Sequence, residues 1–180
     1  MTLELSIIRT PVGPMALYGL DDRLVALTLD ARNGGDERHE RFLTRHLGAF
    51  TTQSVPDAAG AATRLARYFA GELAVLDQQP LRIVGSEFQQ RCWKTLRGIT
   101  AGRTISYAGL AEAIGQPTAV RAVAAANGAN ILPLFIPCHR VIAANGTLWG
   151  YGGGLPMKQW LLRHEGARFT PLPEQEALAL

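Results

Sequence analysis

A chain of 180 residues with a net charge of +3, 47% hydrophobic and 18% charged residues has the composition of a soluble globular protein of one ordinary or two small domains. No apolar run approaches the ~20 residues of a membrane-spanning helix, and Met1 to Thr10, which carries Glu4, lacks the basic start of a secretory signal. Two cysteines, Cys92 and Cys138, make a disulfide framework implausible and cannot supply a CxxC-type zinc site, so a reducing, cytoplasmic setting is expected.

In chain order, Leu3–Ile8, Met15–Leu20 and Leu24–Leu29 are short apolar or alternating runs separated by Pro11-Val12-Gly13-Pro14 and by Asp21-Asp22, which predicts a three-stranded meander. Helical spacing follows over Glu37–Leu47, with Phe42, Leu43, His46 and Leu47 on one face, and again over Ala61–Ala70, closed by Gly71. Residues 48–60 read as a loop and 73–85 as the connection to a helical second half: Glu87–Arg97, Ser106–Ile114, Thr118–Asn127 and Pro156–Glu165. In the last helix Pro156 suits the first turn, Met157, Trp160, Leu161 and His164 share a stripe, and Gly166 is placed to terminate it. The fold class is therefore α/β (α+β), divided into 1–79, 80–170 and a tail, 171–180.

Charge divides along the same line. Residues 1–79 carry eight basic and ten acidic side chains, whereas 80–170 carry ten basic side chains against only Glu87, Glu112 and Glu165. A basic half of this kind suits a nucleic-acid or acidic-membrane partner, or is simply a solvated surface.

Ser106-Tyr107 opens a helix whose inner face is Tyr107, Leu110, Ala111 and Ile114, Gly115-Gln116-Pro117 turns the chain, and Thr118 can cap a second helix. There Val120 and Val123 can face inward, while Ala119, Ala122 and Ala126 leave an outer surface almost free of side chains, with Arg121 its one large residue. Such a surface could enter a minor groove about 6 Å wide, or pack on another helix. Further on, Pro137-Cys138-His139-Arg140 follows the apolar run Ile131–Ile136 and sets a thiol beside an imidazole and a guanidinium. A thiolate with a neighbouring base is a strong nucleophile, and a buried structural cysteine is the alternative. Trp149 to Gly154 is a glycine-rich loop with two aromatics that could wrap a flat ligand, and it lacks the pattern of a phosphate-binding loop.

Taken together, Ser106-Tyr107, Ala119-Val120-Arg121-Ala122-Val123, Asn127, Asn130, Ile136 to Ile142, Tyr151, Gly153-Gly154-Leu155, Lys158, Trp160-Leu161-Leu162 and His164-Glu165-Gly166 resemble the O6-alkylguanine-DNA alkyltransferases. The likeness is strong over residues 86–168 and weaker before them. It implies a small ribonuclease H-like α/β domain followed by a mainly helical, winged-helix-like domain with a helix-turn-helix. It also implies direct transfer of the alkyl group from O6-alkylguanine in DNA to Cys138, once per molecule, by a monomer with no cofactor; some relatives carry a zinc site, but with no further cysteines near the amino terminus no metal is expected here. Acceptance of O4-alkylthymine stays open. By resemblance His139 acts through a water as base, Glu165 orients His139, Tyr107 donates a proton toward the leaving guanine, and Asn130 is a hinge. Arg121 fills the space of a base flipped through the minor groove. Thr118, Ala119, Ala122, Ala126 and Tyr107 meet the DNA, and Tyr151, Gly152, Gly153 and Val141 line the pocket.

Three positions depart from the family's common pattern: Ala124 stands for glycine in the reading helix, Ile131 for a proline after Asn130, and Gly152 for a serine or alanine. Two other functions fit parts of the sequence. A lesion-binding relative without transfer would lack Cys138, and a Cys-His-Glu hydrolase would leave the tyrosine, the helix pair and the basic half as coincidences.

Overall fold

The computed structural model describes residues 1–31 and 37–173 and divides into two compact units, Met1–Gly85 and Ser86–Leu180. The division thus falls after Gly85, not after residue 79. Leu24 N–H donates to Pro80 O at 3.0 Å and Arg82 N–H to Leu24 O at 2.9 Å, so this stretch runs along the sheet of the first unit. Of the expected tail, residues 174–180 lie outside the described residues.

The first unit is built on β1 (Thr2–Thr10), β2 (Gly13–Leu20), β3 (Arg23–Thr28) and β4 (Thr51–Ser54) in the order β3-β2-β1-β4. The meander is antiparallel, with Leu5 opposite Tyr18 and Leu17 opposite Leu27, and β4 joins β1 in parallel. Met15 to Tyr18 and Leu24 to Leu27 are all buried, so β2 and β3 are covered on both faces. Their hairpin turns on Asp21 and Asp22, both with positive φ, the geometry whose twist matches paired strands.

Strand β4 falls inside the expected loop. Its sequence, Thr-Thr-Gln-Ser, is exposed at all four positions and sits at the sheet edge, so no apolar alternation marks it. Helices α1 (Glu37–Leu47) and α2 (Ala61–Phe69) occupy the expected spans. In α1, His39 and Leu43 are buried, while His46 is exposed and stacks on Phe42 at 4.1 Å. Asp57 holds the start of α2 by accepting from Ala62 N–H at 2.7 Å and from the Thr63 hydroxyl at 2.6 Å. A 3₁₀ segment, Leu73–Gln78, forms within the expected connection.

The second unit contains α3 (Glu87–Arg97), β5 (Ile105–Ser106), α4 (Tyr107–Ala113), α5 (Val120–Gly128), β6 (Val141–Ile142) and α6 (Leu155–His164). Ser86 and Gln89 form a capping box on α3, and Ser106 Oγ accepts from Gly109 N–H at 2.9 Å to start α4. Helix α5 begins at Val120, two residues later than expected. Ala119 is its N-cap and no side chain caps it, so Thr118 does not have that role. The parallel pair β5–β6, with Ile105 opposite Val141, sets the start of α4 beside the segment that follows Cys138.

Candidate active site

Cys138 sits at the end of a tightly folded strap. Phe135 N–H donates to Pro133 O at 3.0 Å across Leu134, whose φ is +67°, and Cys138 N–H donates to Ile136 O at 2.7 Å across Pro137, with φ −78° and ψ 64°. These are successive three-residue turns, and the second has the low-energy inverse form that proline presets. Asn130 staples the strap: its Oδ1 accepts from Leu132 N–H at 2.9 Å and its Nδ2 donates to Ile136 O at 2.8 Å. Residues 131–140 are all buried, so the sulfur is presented from a rigid, apolar bed.

Next to it lies a buried polar group. His139 Nε2 donates to Glu165 Oε1 at 3.0 Å, and Arg140 grips the same carboxylate with Nε on Oε2 and Nη2 on Oε1, both at 2.8 Å. Arg140 Nη1 also donates to Ile99 O. Burial pushes Glu165 upward, but the hydrogen bonds and charges of His139 and Arg140 outweigh it and hold the carboxyl below its ordinary range. Burial lowers His139, so the ring rests neutral even beside Glu165. An ionised carboxylate only accepts, which places the ring proton on Nε2 and leaves Nδ1 as the basic atom. That Nδ1 is buried and has no hydrogen-bond partner among the described residues.

Burial raises the Cys138 thiol, opposed by a hydrogen bond from Asn130 and by the charge of Lys158. Lys158 is fully buried on α6, and its Nζ donates to Val141 O at 2.7 Å and to Trp149 O at 2.6 Å. Burial brings its pKa down to about 8, with the charge of Cys138 acting against that. Tyr107, half-buried at the start of α4, is raised by burial and by Cys138. The Tyr151 ring stands edge-on to His139, with centroids 6.4 Å apart. One region of the second unit thus brings together a thiol, a neutral base with an ionised orienter, a phenol and a buried ammonium.

Residues 87–167 match the family model for the DNA-binding domain of 6-O-methylguanine DNA methyltransferase. The methylated-DNA–protein-cysteine methyltransferase of Shigella flexneri is 42% identical over 161 residues, covering 88% of this chain and 93% of that one. Its counterpart from Salmonella typhimurium is 44% identical over 162 residues with the same coverage. The chain belongs to the methylated-DNA–protein-cysteine methyltransferases. Among solved members, Mycobacterium tuberculosis OGT in complex with DNA superposes with a TM-score of 0.75 at 38% identity, covering 90% of this chain and 92% of that one.

In this methyltransferase Cys138, His139, Glu165, Asn130 and Tyr107 lie together in the second unit. Val141 enters through its carbonyl on Lys158, Gly152 is exposed and Gly153 half-buried in the loop after Tyr151. Thr118, Arg121 and Ala122 are exposed and Ala119 is partly so. Ala126 is not on that surface: it is 3% exposed, and its carbonyl accepts the Trp93 indole N–H at 2.9 Å. The bare face of α5 instead includes Ala124 and Ala125, so the methyl of Ala124 points to solvent.

Sequence reasoning gave no role to Lys158 or Arg140. A lysine between Met157 and Leu161, on the apolar side of α6, was the available signal. Trp160 and His164, assigned to that stripe, are half-buried and stack on each other at 5.0 Å.

Proposed function

We propose that this protein repairs DNA by moving the alkyl group of O6-alkylguanine onto Cys138 and is consumed in doing so. The observation that carries this reading is the buried His139–Glu165–Arg140 group directly after Cys138, with a basic Nδ1 left available and the thiol un-ionised at rest. His139, through a water, takes the thiol proton, the sulfur–carbon bond forms and the carbon–O6 bond breaks. Tyr107 gives a proton to the departing guanine and is reprotonated from His139, so one proton passes from thiol to guanine overall. The product thioether has no acyl carbon for water to attack, and the protein makes a single turnover.

A base within a duplex cannot reach a buried sulfur, so the modified nucleotide is flipped out at a cost of a few kcal/mol. The reading supported by the bare outer face of α5 is entry from the minor groove, with Thr118, Ala119 and Ala122 at the backbone and Arg121 in the vacated stack. Tyr151, Gly152, Gly153 and Val141 then wall the pocket. In the same proposal the first unit is a ribonuclease H-like domain, α4 and α5 are the helix-turn-helix of a winged-helix-like domain, and the protein acts as a monomer without cofactor.

The test is a duplex carrying radiolabelled O6-methylguanine. One label per molecule, on the Cys138 peptide, is the expected result, and Cys138→Ala is expected to bind the duplex and take no label. A Cys138 peptide of unchanged mass after exposure overturns the reading.

A further inference from the structure

Trp149 is 66% exposed, whereas Trp93 of the same unit is 1% exposed. Among the described residues its indole has neither a hydrogen bond nor a ring partner. Its backbone, by contrast, is fixed. Trp149 O accepts from the buried Lys158 Nζ at 2.6 Å, and the preceding Leu148 is buried with Ile142 and Leu162. The backbone that carries the ring is therefore set in place, two residues before Tyr151, whose own ring stands edge-on to His139.

An indole is a large, flat apolar surface with two side-chain torsions, and one left in water on a set backbone suits a partner with a flat face. Charge selects the partner. Among residues 86–173, Arg91, Lys94, Arg103, Arg121, Arg163 and Arg168 are exposed against only two exposed carboxylates, Glu87 and Glu112. A second copy of the unit would bring the same positive excess to the contact and be repelled, while a nucleic acid would be attracted and offers bases to stack on.

We propose that Trp149 is a stacking platform for a nucleobase of the lesion-bearing strand, seated on the loop between β6 and α6. It is a positioning residue: it touches the DNA outside the transferred group and takes no part in proton or alkyl transfer. The proposal rests on the function inferred above.

The experiment compares wild type, Trp149→Ala and Trp149→Phe for affinity and single-turnover rate on an O6-methylguanine duplex, and for reaction with free O6-benzylguanine. Loss of one base–aromatic stack predicts duplex affinity lowered about 5- to 100-fold in Trp149→Ala, with Trp149→Phe restoring most of it. The free base, which has no strand to stack, is expected to show a much smaller change. Acrylamide is expected to quench the emission of the free wild type and to quench it less once duplex is bound.

Three results overturn the proposal: duplex affinity of Trp149→Ala equal to wild type, an equal loss on free base and duplex, or self-association of the wild type that Trp149→Ala abolishes. Failure of the wild type to take any label sinks the alkyl-transfer reading itself. A wild type that transfers while Trp149→Ala matches it sinks only the platform.

Discussion

Glu165 satisfies both neighbours at once, accepting one bond from His139 and two from Arg140 inside a buried site. Removing one partner of such a set strands the other charge, so Glu165→Gln is expected to cost about 3–5 kcal/mol in denaturant unfolding as well as slowing transfer. The carboxyl's pKa is lower folded than unfolded, so its stabilisation is fully present above the unfolded value, about 4.3, and is lost as pH falls below it toward the folded value. Glu165→Gln is expected to flatten that part of the acid-stability curve, and an unchanged curve would count against the ion group. Cys138 and His139 together set the behaviour near neutrality. The thiol's pKa is raised and the imidazole's is lowered, both by burial, so the pair keeps one protonation state there, and transfer to free O6-benzylguanine is expected to change little from pH 7 to 8. A rate climbing about tenfold across that interval would mean that preformed thiolate, and not proton transfer to His139, supplies the nucleophile.

At the level of single elements, α5 separates two neighbouring alanines by consequence. Ala126 is packed beneath Trp93, so Ala126→Leu is expected to overpack the helix contact and cost about 1–3 kcal/mol. Ala125 is exposed, so Ala125→Leu is expected to leave the thermal midpoint unchanged and weaken duplex binding; equal stability losses in the two variants would erase the distinction. The β2–β3 hairpin offers a gain. Asp22 has φ +57°, a conformation free of strain only for glycine, and Asp22→Gly is expected to stabilise the chain by about 0.5 kcal/mol, read by denaturant midpoint. The three meander strands and both helices of the first unit were legible because turn residues and most apolar positions there agree with burial, His46 in α1 being an exception. Strand β4 was not, since an exposed edge strand is specified by its neighbour's hydrogen bonds and not by its own side chains. The face of α5 was only half legible, because a run of alanines carries no amphipathic signal to say which one points inward.

Across the molecule, the charge division seen in the sequence survives folding, with a smaller excess. Arg140 and Lys158, two of the cations in the second half, are buried and bound to internal acceptors, and the remaining exposed cations still outnumber exposed carboxylates. Duplex binding is expected to weaken with salt at a log–log slope of about −2 or steeper, as two or more neutralised phosphates require. A salt-independent affinity would place the contact on apolar groups alone. The meeting of His139 with the distant Glu165 beside Cys138 was readable through family resemblance. The ammonium behind the loop was not, because burial of a lysine is decided by the packing of α6 against residues far away in the chain.

The bend at Pro137 also limits what this sulfur can be made to do. Cysteine hydrolases depend on amide hydrogens free to cradle the oxygen of an acyl intermediate, and here the amide of Cys138 itself is spent on Ile136 O. Turning the protein into a recycling esterase would require unwinding that bend and freeing the amide, and adding a water activator at His139 would not suffice.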